Sequence, residues 1–240
     1  MKIVLFDVDG TLVRAGGAGR KALGAAAQAL YGKAGLIEGI DMAGRADSWI
    51  CREVFLAARG RRPSSRELGR LKREYLKRLP GQVRKAVSAG RYRLPAGVKA
   101  LVRRLSREKG VLLGLGTGNF EQGARIKLKP AGLNRCFRFG GYGCDSLDRC
   151  GILKEAVRRG RRLMPEGAGP PEVFVVGDTP HDVSAGRKAG YATIGVGTGF
   201  APWEVLAASR PDRLARDFRG IEKWLSWFGI ASKASRKPPR

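Results

Sequence analysis

The sequence predicts a doubly wound, parallel α/β sheet carrying an inserted layer of helices, and three observations predict it. Short apolar runs, KIVLF (2–6), VLLGLG (111–116) and EVFVVG (172–177), each end at a polar residue beside glycine: Asp7, Thr117 and Asp178. Amphipathic helical patterns alternate with the later runs, as in doubly wound folds. Between the first two runs lies a strand-free stretch of roughly 75 residues, far longer than a crossover needs.

Each element follows in order. Continuous apolar runs of this length suit parallel strands buried on both faces, and YATIGVG (191–197) reads as a further strand. The inserted stretch is rich in Ala and Arg, with helical patterns near 18–31, 46–59 and 65–79; in the last, Leu68, Leu71, Tyr75 and Leu79 share a face. In 95–109, Val98, Leu101, Val102 and Leu105 fall at helical spacing, and Pro95 suits a first helical turn. Residues 120–131 read as a helix ending near Gly132. Residues 148–163 place Ile152, Leu153, Ala156, Val157 and Leu163 on one period, 181–189 form a short helix stopped by Gly190, and 218–228 a last one. The expected organisation is a Rossmann-like core of 1–13 and 91–228, a helical cap of 14–90, and a basic, disordered tail of 229–240.

Composition narrows the function. The 240 residues hold 47 Lys and Arg against 21 Asp and Glu, a net charge of +26 that attracts phosphorylated substrates and polyanions alike. The basic residues are scattered, so an Arg-rich solvated surface is favoured over a dedicated nucleic-acid groove, and nucleic-acid binding is expected to be non-specific. No apolar run is long enough to span a bilayer, and acids follow the first apolar run too soon for a signal peptide, so a cytoplasmic protein is expected. Cys51, Cys136, Cys144 and Cys150 match no common zinc spacing and read as free thiols. Oligomeric state is not legible.

Against this basic background the placement of acids stands out. Asp7 and Asp9, two residues apart on an extended segment, point to one side. Open α/β sheets bind ligands at the carboxyl ends of their strands, so Asp7, Thr117 and Asp178 are expected to meet at one edge, with Asp182 a helical turn beyond Asp178. Four converging carboxylates call for a hard divalent cation, and oxygen ligands beside a phosphate point to Mg2+. With a cation present, one aspartate can attack phosphorus while the other handles the proton.

DVDGTL (7–12), LGTGN (115–119) and VVGDTPHDVSAG (175–186) together resemble motifs I, II and IV of the haloacid dehalogenase-like hydrolase superfamily. The helical insert resembles that superfamily's C1 cap, and GRAD (44–47) a cap segment of its phosphoglycolate-phosphatase-like branch. The resemblance implies that Asp7 is the nucleophile and Asp9 the general acid and base. It implies a Mg2+ site from Asp7, Asp9 (through its carbonyl), Asp178 and Asp182. It also implies phosphate binding by Thr117, Gly118 and Asn119. The superfamily's dehalogenases lack the second acid, so Asp9 implies phosphoryl transfer. The motif III cation is not in a KPxP stretch here; Arg149 is chosen, with Lys127 and Lys154 as alternatives. Arg45 and Asp47 either contact substrate from the cap or pair with each other. His181 lines the rim, and Trp203, Trp224 and Trp227 serve core or helix packing rather than a stacking platform. The expected activity is a Mg2+-dependent phosphatase acting on a small phosphate monoester. The alternatives are a phosphatase of nucleic-acid ends, a phosphomutase, or a nucleic-acid-binding module on a degenerate hydrolase fold.

Overall fold

A computed structural model describes residues 1–231. Its centre is a parallel sheet of six strands: β1 (Lys2–Phe6), β4 (Val111–Gly116), β5 (Phe139–Gly141), β6 (Glu172–Gly177), β7 (Ala192–Val196) and β8 (Arg213–Ala215). Their spatial order is β5-β4-β1-β6-β7-β8. The chain winds outward from β1 through β4 to β5, then recrosses to β6 and winds the other way. The strand order therefore reverses at β1, the position where such sheets open a ligand crevice. Phe6 is in register with both Leu115 and Val176, which brings the carboxyl ends of the three central strands level.

The periodic segments form the expected helices with local adjustments. Helices α1 (Ala18–Tyr31), α2 (Asp47–Arg59) and α3 (Ser65–Ser88) surround an apolar cluster of their own, including Ala22, Ile50, Val54, Leu71 and Leu79. Helix α3 runs nine residues past its predicted end at 79, straight through Pro80. A capping box between Ser64 and Glu67 starts it, and Val83 and Ala86 extend its buried face, which offsets the bond Pro80 removes. The insert is not free of strand: β2 (Arg14–Ala15) pairs antiparallel with β3 (Tyr92–Arg93), tying its two ends together.

Helix α4 (Val98–Leu105) begins after Gly97, so Pro95 sits in the preceding turn rather than in the first helical turn. Helix α5 (Glu121–Leu128) passes into a 3-10 turn, Lys129–Ala131, before Gly132. Helix α6 (Arg149–Arg161) stops short of Leu163, which is 38% exposed rather than part of the buried face. Helix α7 (Pro180–Lys188) follows β6, and α8 (Trp203–Ala208) and α9 (Ile221–Trp227) complete the fold. Trp224 is fully buried among Phe218, Trp227 and Phe228, while Trp203 lies under Arg216. All four cysteines are free. Among the described residues no helix is long and apolar enough to cross a membrane. The tail expected at 229–240 lies, from 232 onward, outside the described residues.

Two leucines assigned to one helical face by periodicity should now separate. Leu153→Ala removes a side chain that is 1% exposed and should cost about 2–4 kcal/mol in urea unfolding. Leu163→Ala should change stability by about 0.5 kcal/mol or less.

Candidate active site

The level ends of β1, β4 and β6 deliver Asp7, Thr117 and Asp178 to one edge, as the strand pattern predicts. All three are buried. Asp7 and Asp178 border a cavity of about 400 Å3 between the sheet edge and the helical insert. Asp7, Asp9, Asn119, Lys127, Arg149 and Asp178 line it from below, and Arg20, Arg45, Asp47 and Tyr75 from the insert.

Asp7, Asp178 and Asp182 bring carboxylate oxygens within 4.8 Å of one another. Burial pushes the Asp7 carboxyl up to about 6 against the pull of Arg149, with Asp182 and Asp9 adding repulsion. Burial likewise pushes Asp178 well above the usual carboxylate range, and Asp182 and Asp7 add to it. Each acid is held from a distinct direction. Thr11 donates to Asp178 Oδ1 at 3.0 Å, and the Phe200 amide to its Oδ2 at 3.2 Å. Gly199 lets that loop close on the carboxylate, since a Cβ there would overlap Asp178 Oδ2. Asp182 sits in the first turn of α7, where it accepts from the Thr179 amide and hydroxyl in a reciprocal capping box.

Of the three candidate cations, Arg149 is the one that reaches this cluster. Asp148 caps α6, and the guanidinium of the next residue lies 2.9 Å from Asp7 and 2.5 Å from Asp182. Burial works against its charge, but Asp182 and Asp7 outweigh burial and hold its pKa above the usual arginine value. Lys154 lies on a different surface depression with Arg158 and Arg161, away from the acids.

Lys127 has another place, and this corrects the four-acid cluster. The Asp9 carboxylate does not join the other three. Its Oδ2 accepts from buried Lys127 Nζ at 2.5 Å and from Asn119 Nδ2 at 2.9 Å. Lys127 also donates to Asn119 Oδ1 at 2.6 Å. Burial tends to lower the lysine's pKa, but Asp9 and Asp47 reverse that and raise it, so it stays charged. Asn119 is thus tied to Asp9 and to the Thr117 hydroxyl. Thr117 itself is fully buried behind the cavity wall, and Gly118 and Asn119 are the members of LGTGN that line it.

The insert meets the sheet edge through these residues. The Asp47 amide donates to the Gly118 carbonyl at 2.7 Å, and Asp47 Oδ2 accepts from the Phe120 amide at 2.9 Å. Gly118 allows this approach, because a Cβ there would fall 2.5 Å from the Arg45 carbonyl oxygen. Arg45 and Asp47 both line the cavity, and the alternative of mutual pairing does not hold: the Arg45 guanidinium stacks on Trp49 at 4.7 Å. His181 stays outside the cavity, against Gly44 in a smaller adjoining depression.

Several neighbours of the acids had no reading from sequence. Thr11 belongs to DGTL, where its hydroxyl was a visible clue. Thr179 precedes a capping acid by three residues, a legible capping box. Gly199 and Phe200 carry no local signal; only the rule that loops after parallel strands gather at one edge could have found them.

A family model described as haloacid dehalogenase-like hydrolase matches residues 1–190. The chain belongs to that family. A curated relative, the pyrophosphatase PpaX of Anoxybacillus flavithermus, is 28% identical over 130 residues, 52% of this chain and 56% of that protein. A Clostridium perfringens relative provisionally named for the same activity is 46% identical over 46 residues, 19% of this chain and 22% of its own. The chain thus spans under two thirds of the length of these curated relatives. A predicted phosphoglycolate phosphatase from Haemophilus somnus superposes with TM-score 0.64 at 21% identity, covering 93% of this chain and 97% of that one. A Bacteroides vulgatus chain provisionally described as a beta-phosphoglucomutase superposes with TM-score 0.67 at 19% identity, covering 95% and 89%. At these identities the structural likeness is one of fold.

The carboxyl that joins insert to sheet edge should leave a pH signature. Burial raises the Asp47 carboxyl to about 6 from its ordinary 3.8, against Lys127 and the Phe120 amide. Folding therefore favours its protonated form. Its contribution to stability is intact below about pH 4 and lost as pH rises through about 6. Asp47→Asn should be more stable than the wild type by about 1–2 kcal/mol at pH 7.5, with the difference vanishing near pH 4. Urea unfolding across that range checks it.

Proposed function

We propose that this chain is a Mg2+-dependent phosphatase that hydrolyses a small phosphate monoester through an aspartyl-phosphate on Asp7. The observation that carries the reading is the division of four acids into two groups. Three carboxylates crowd together in a buried cleft, while the fourth, two residues from the first, is held apart by Lys127. One group suits a metal and the other suits proton transfer.

The donor set fits a hard cation. Buried carboxylates this close, with Asp7 and Asp178 raised by burial and mutual repulsion, gain their charged forms when a divalent cation joins them. Asp7, Asp178 and the Asp9 carbonyl would hold it. Asp182, already bonded to Arg149 and Thr179, would orient the site. When bound, Mg2+ neutralises phosphoryl oxygens and lowers the repulsion between substrate and Asp7.

The remaining work falls to the chain's own side chains. An Asp7 oxygen attacks phosphorus and the ester P–O bond breaks, with Asp9 giving a proton to the leaving oxygen. A water then attacks the phosphoryl group, Asp9 takes its proton, and the P–O bond to Asp7 breaks to release phosphate and restore both acids. Arg149 offsets the charge that Asp7 and the phosphoryl group bring together. Lys127 and Asn119 fix the Asp9 carboxylate for both proton transfers. Residues 14–90 act as a cap whose cavity wall, including Arg45 and Asp47, contacts the leaving group and excludes water. The enclosed volume suits a small substrate better than a nucleic-acid end.

The test is phosphate release from a panel of small esters and a 3′-phosphorylated oligonucleotide, with Mg2+ or with EDTA. Turnover should require Mg2+ and favour the small esters. Asp7→Asn should lower it by about 10,000-fold, and Asp9→Asn by about 100-fold to 10,000-fold. Absence of turnover on every ester by folded, Mg2+-loaded protein would sink the phosphatase reading.

A further inference from the structure

We propose that the outer face of α3 is a rail for the backbone of double-stranded nucleic acid, separate from the phosphatase site. Arg66, Arg70, Arg73 and Lys77 recur at spacings of four, three and four residues. At 3.6 residues per turn they fall within an arc of roughly 60°, and Arg84 returns to the same arc two turns later. The row extends about 27 Å along the helix at 1.5 Å per residue. All five side chains are exposed.

These charges are uncommitted. Among the described residues none of the five forms an ion pair or a side-chain hydrogen bond. The two acids of α3 are engaged elsewhere, Glu67 with Arg61 and Glu74 with Arg78. Like charges one turn apart on a helix repel. A row of them, with Glu74 flanking Arg70 and Lys77 and that acid paired to Arg78, carries a standing electrostatic cost that an anionic polymer laid along it would relieve.

The chemistry of the row selects the polymer. Four of the five are arginines, whose planar fork matches phosphate oxygens better than an ammonium does. The row holds no aromatic or large aliphatic anchor of the kind that dominates protein interfaces, and none that could enter a bilayer. It also offers no aromatic platform for stacking unpaired bases, the feature that single-strand binders use. Regularly spaced guanidinium groups without base-reading side chains fit the phosphates of a duplex, held without sequence preference.

The overall charge makes some polyanion binding inevitable, so the experiment compares positions at equal charge. A labelled mixed-sequence 30-base-pair DNA duplex is titrated with full-length protein by fluorescence anisotropy at several salt concentrations. One variant carries Arg66→Gln, Arg70→Gln, Arg73→Gln and Lys77→Gln. A control carries Lys99→Gln, Arg103→Gln, Arg107→Gln and Lys109→Gln, which removes equally many exposed charges around α4. The rail variant should bind about tenfold or more weakly, with a log–log salt slope shallower by about 3 to 4. The control should stay within about threefold of wild type. Equal losses in the two variants would overturn the rail in favour of a diffuse field. So would tighter binding of a single strand of the same length, or no binding by the wild type. Glutamine keeps helix propensity nearly unchanged, and matched far-UV circular dichroism confirms that the variants are folded.

Discussion

Crowding of negative charge at the carboxyl edge of the sheet is the constraint on which the rest of the structure depends. Three buried carboxylates within 4.8 Å of one another repel, and each is also penalised for leaving water. Among the described residues, Arg149 lies between Asp7 and Asp182 as the one side-chain cation in contact with the cluster. A single guanidinium against three acids leaves negative charge uncompensated. Burial first, and that deficit second, raise the Asp7 and Asp178 carboxyls above the usual carboxylate range. The same deficit makes the cleft receptive to a small, highly charged cation. The surrounding polar contacts, Thr11 and Phe200 on Asp178 and Thr179 on Asp182, fix the direction of each acid so that the repulsion is not relaxed by side-chain rotation.

Asp9 escapes that cluster because a second buried cation claims it. Lys127 projects from α5, and its ammonium lies among Asp9, Asn119 and, at longer range, Asp47. Two arginine- and lysine-centred groups thus divide the acids of one cleft between them. The helical insert is attached to the second group. Asp47 receives the Phe120 amide at the start of α5, and Lys127 reaches Asp9 from two turns along the same helix. The position of the insert and the orientation of Asp9 are therefore set through one short helix.

Much of this was legible because the strongest signals were chemical and local. KIVLF, VLLGLG and EVFVVG announce buried parallel strands by apolar continuity, and the acid or hydroxyl that ends each run marks the edge where they meet. What escaped was whatever depends on packing across the sheet. FGG (139–141) forms β5 with two glycines, residues that carry no strand propensity and are set there by the approach of Tyr142 and α6. RLA (213–215) and α8 are short and lean on β7 and its following loop. The division of labour between Arg149 and Lys127 could not be read from either segment alone, because it depends on which helix faces which acid. Pro95 misled for a related reason, since a glycine begins that helix later, and α3 outran its expected end at 79 because Val83 and Ala86 extend its buried face past Pro80.

The charge of the chain has a different relation to the fold. At the sheet edge acids outnumber cations in contact with them, although the protein as a whole carries +26. Lys127 and Arg149 enter the buried floor of the cleft, each between two acceptors, whereas Arg20 and Arg45 line it from the insert without reaching the three clustered acids. The others remain on solvated helix faces, where they raise the potential around the molecule without neutralising the cleft. An anionic ester approaching the protein is therefore drawn by the long-range field and meets locally uncompensated acids at the end of its path. On the proposed phosphatase reading, the long-range field would favour encounter, and the local imbalance would make a bound cation the condition for a phosphoryl group to approach Asp7. The surface charge and the acidic cluster are opposite in sign, and the proposed reaction would draw on both.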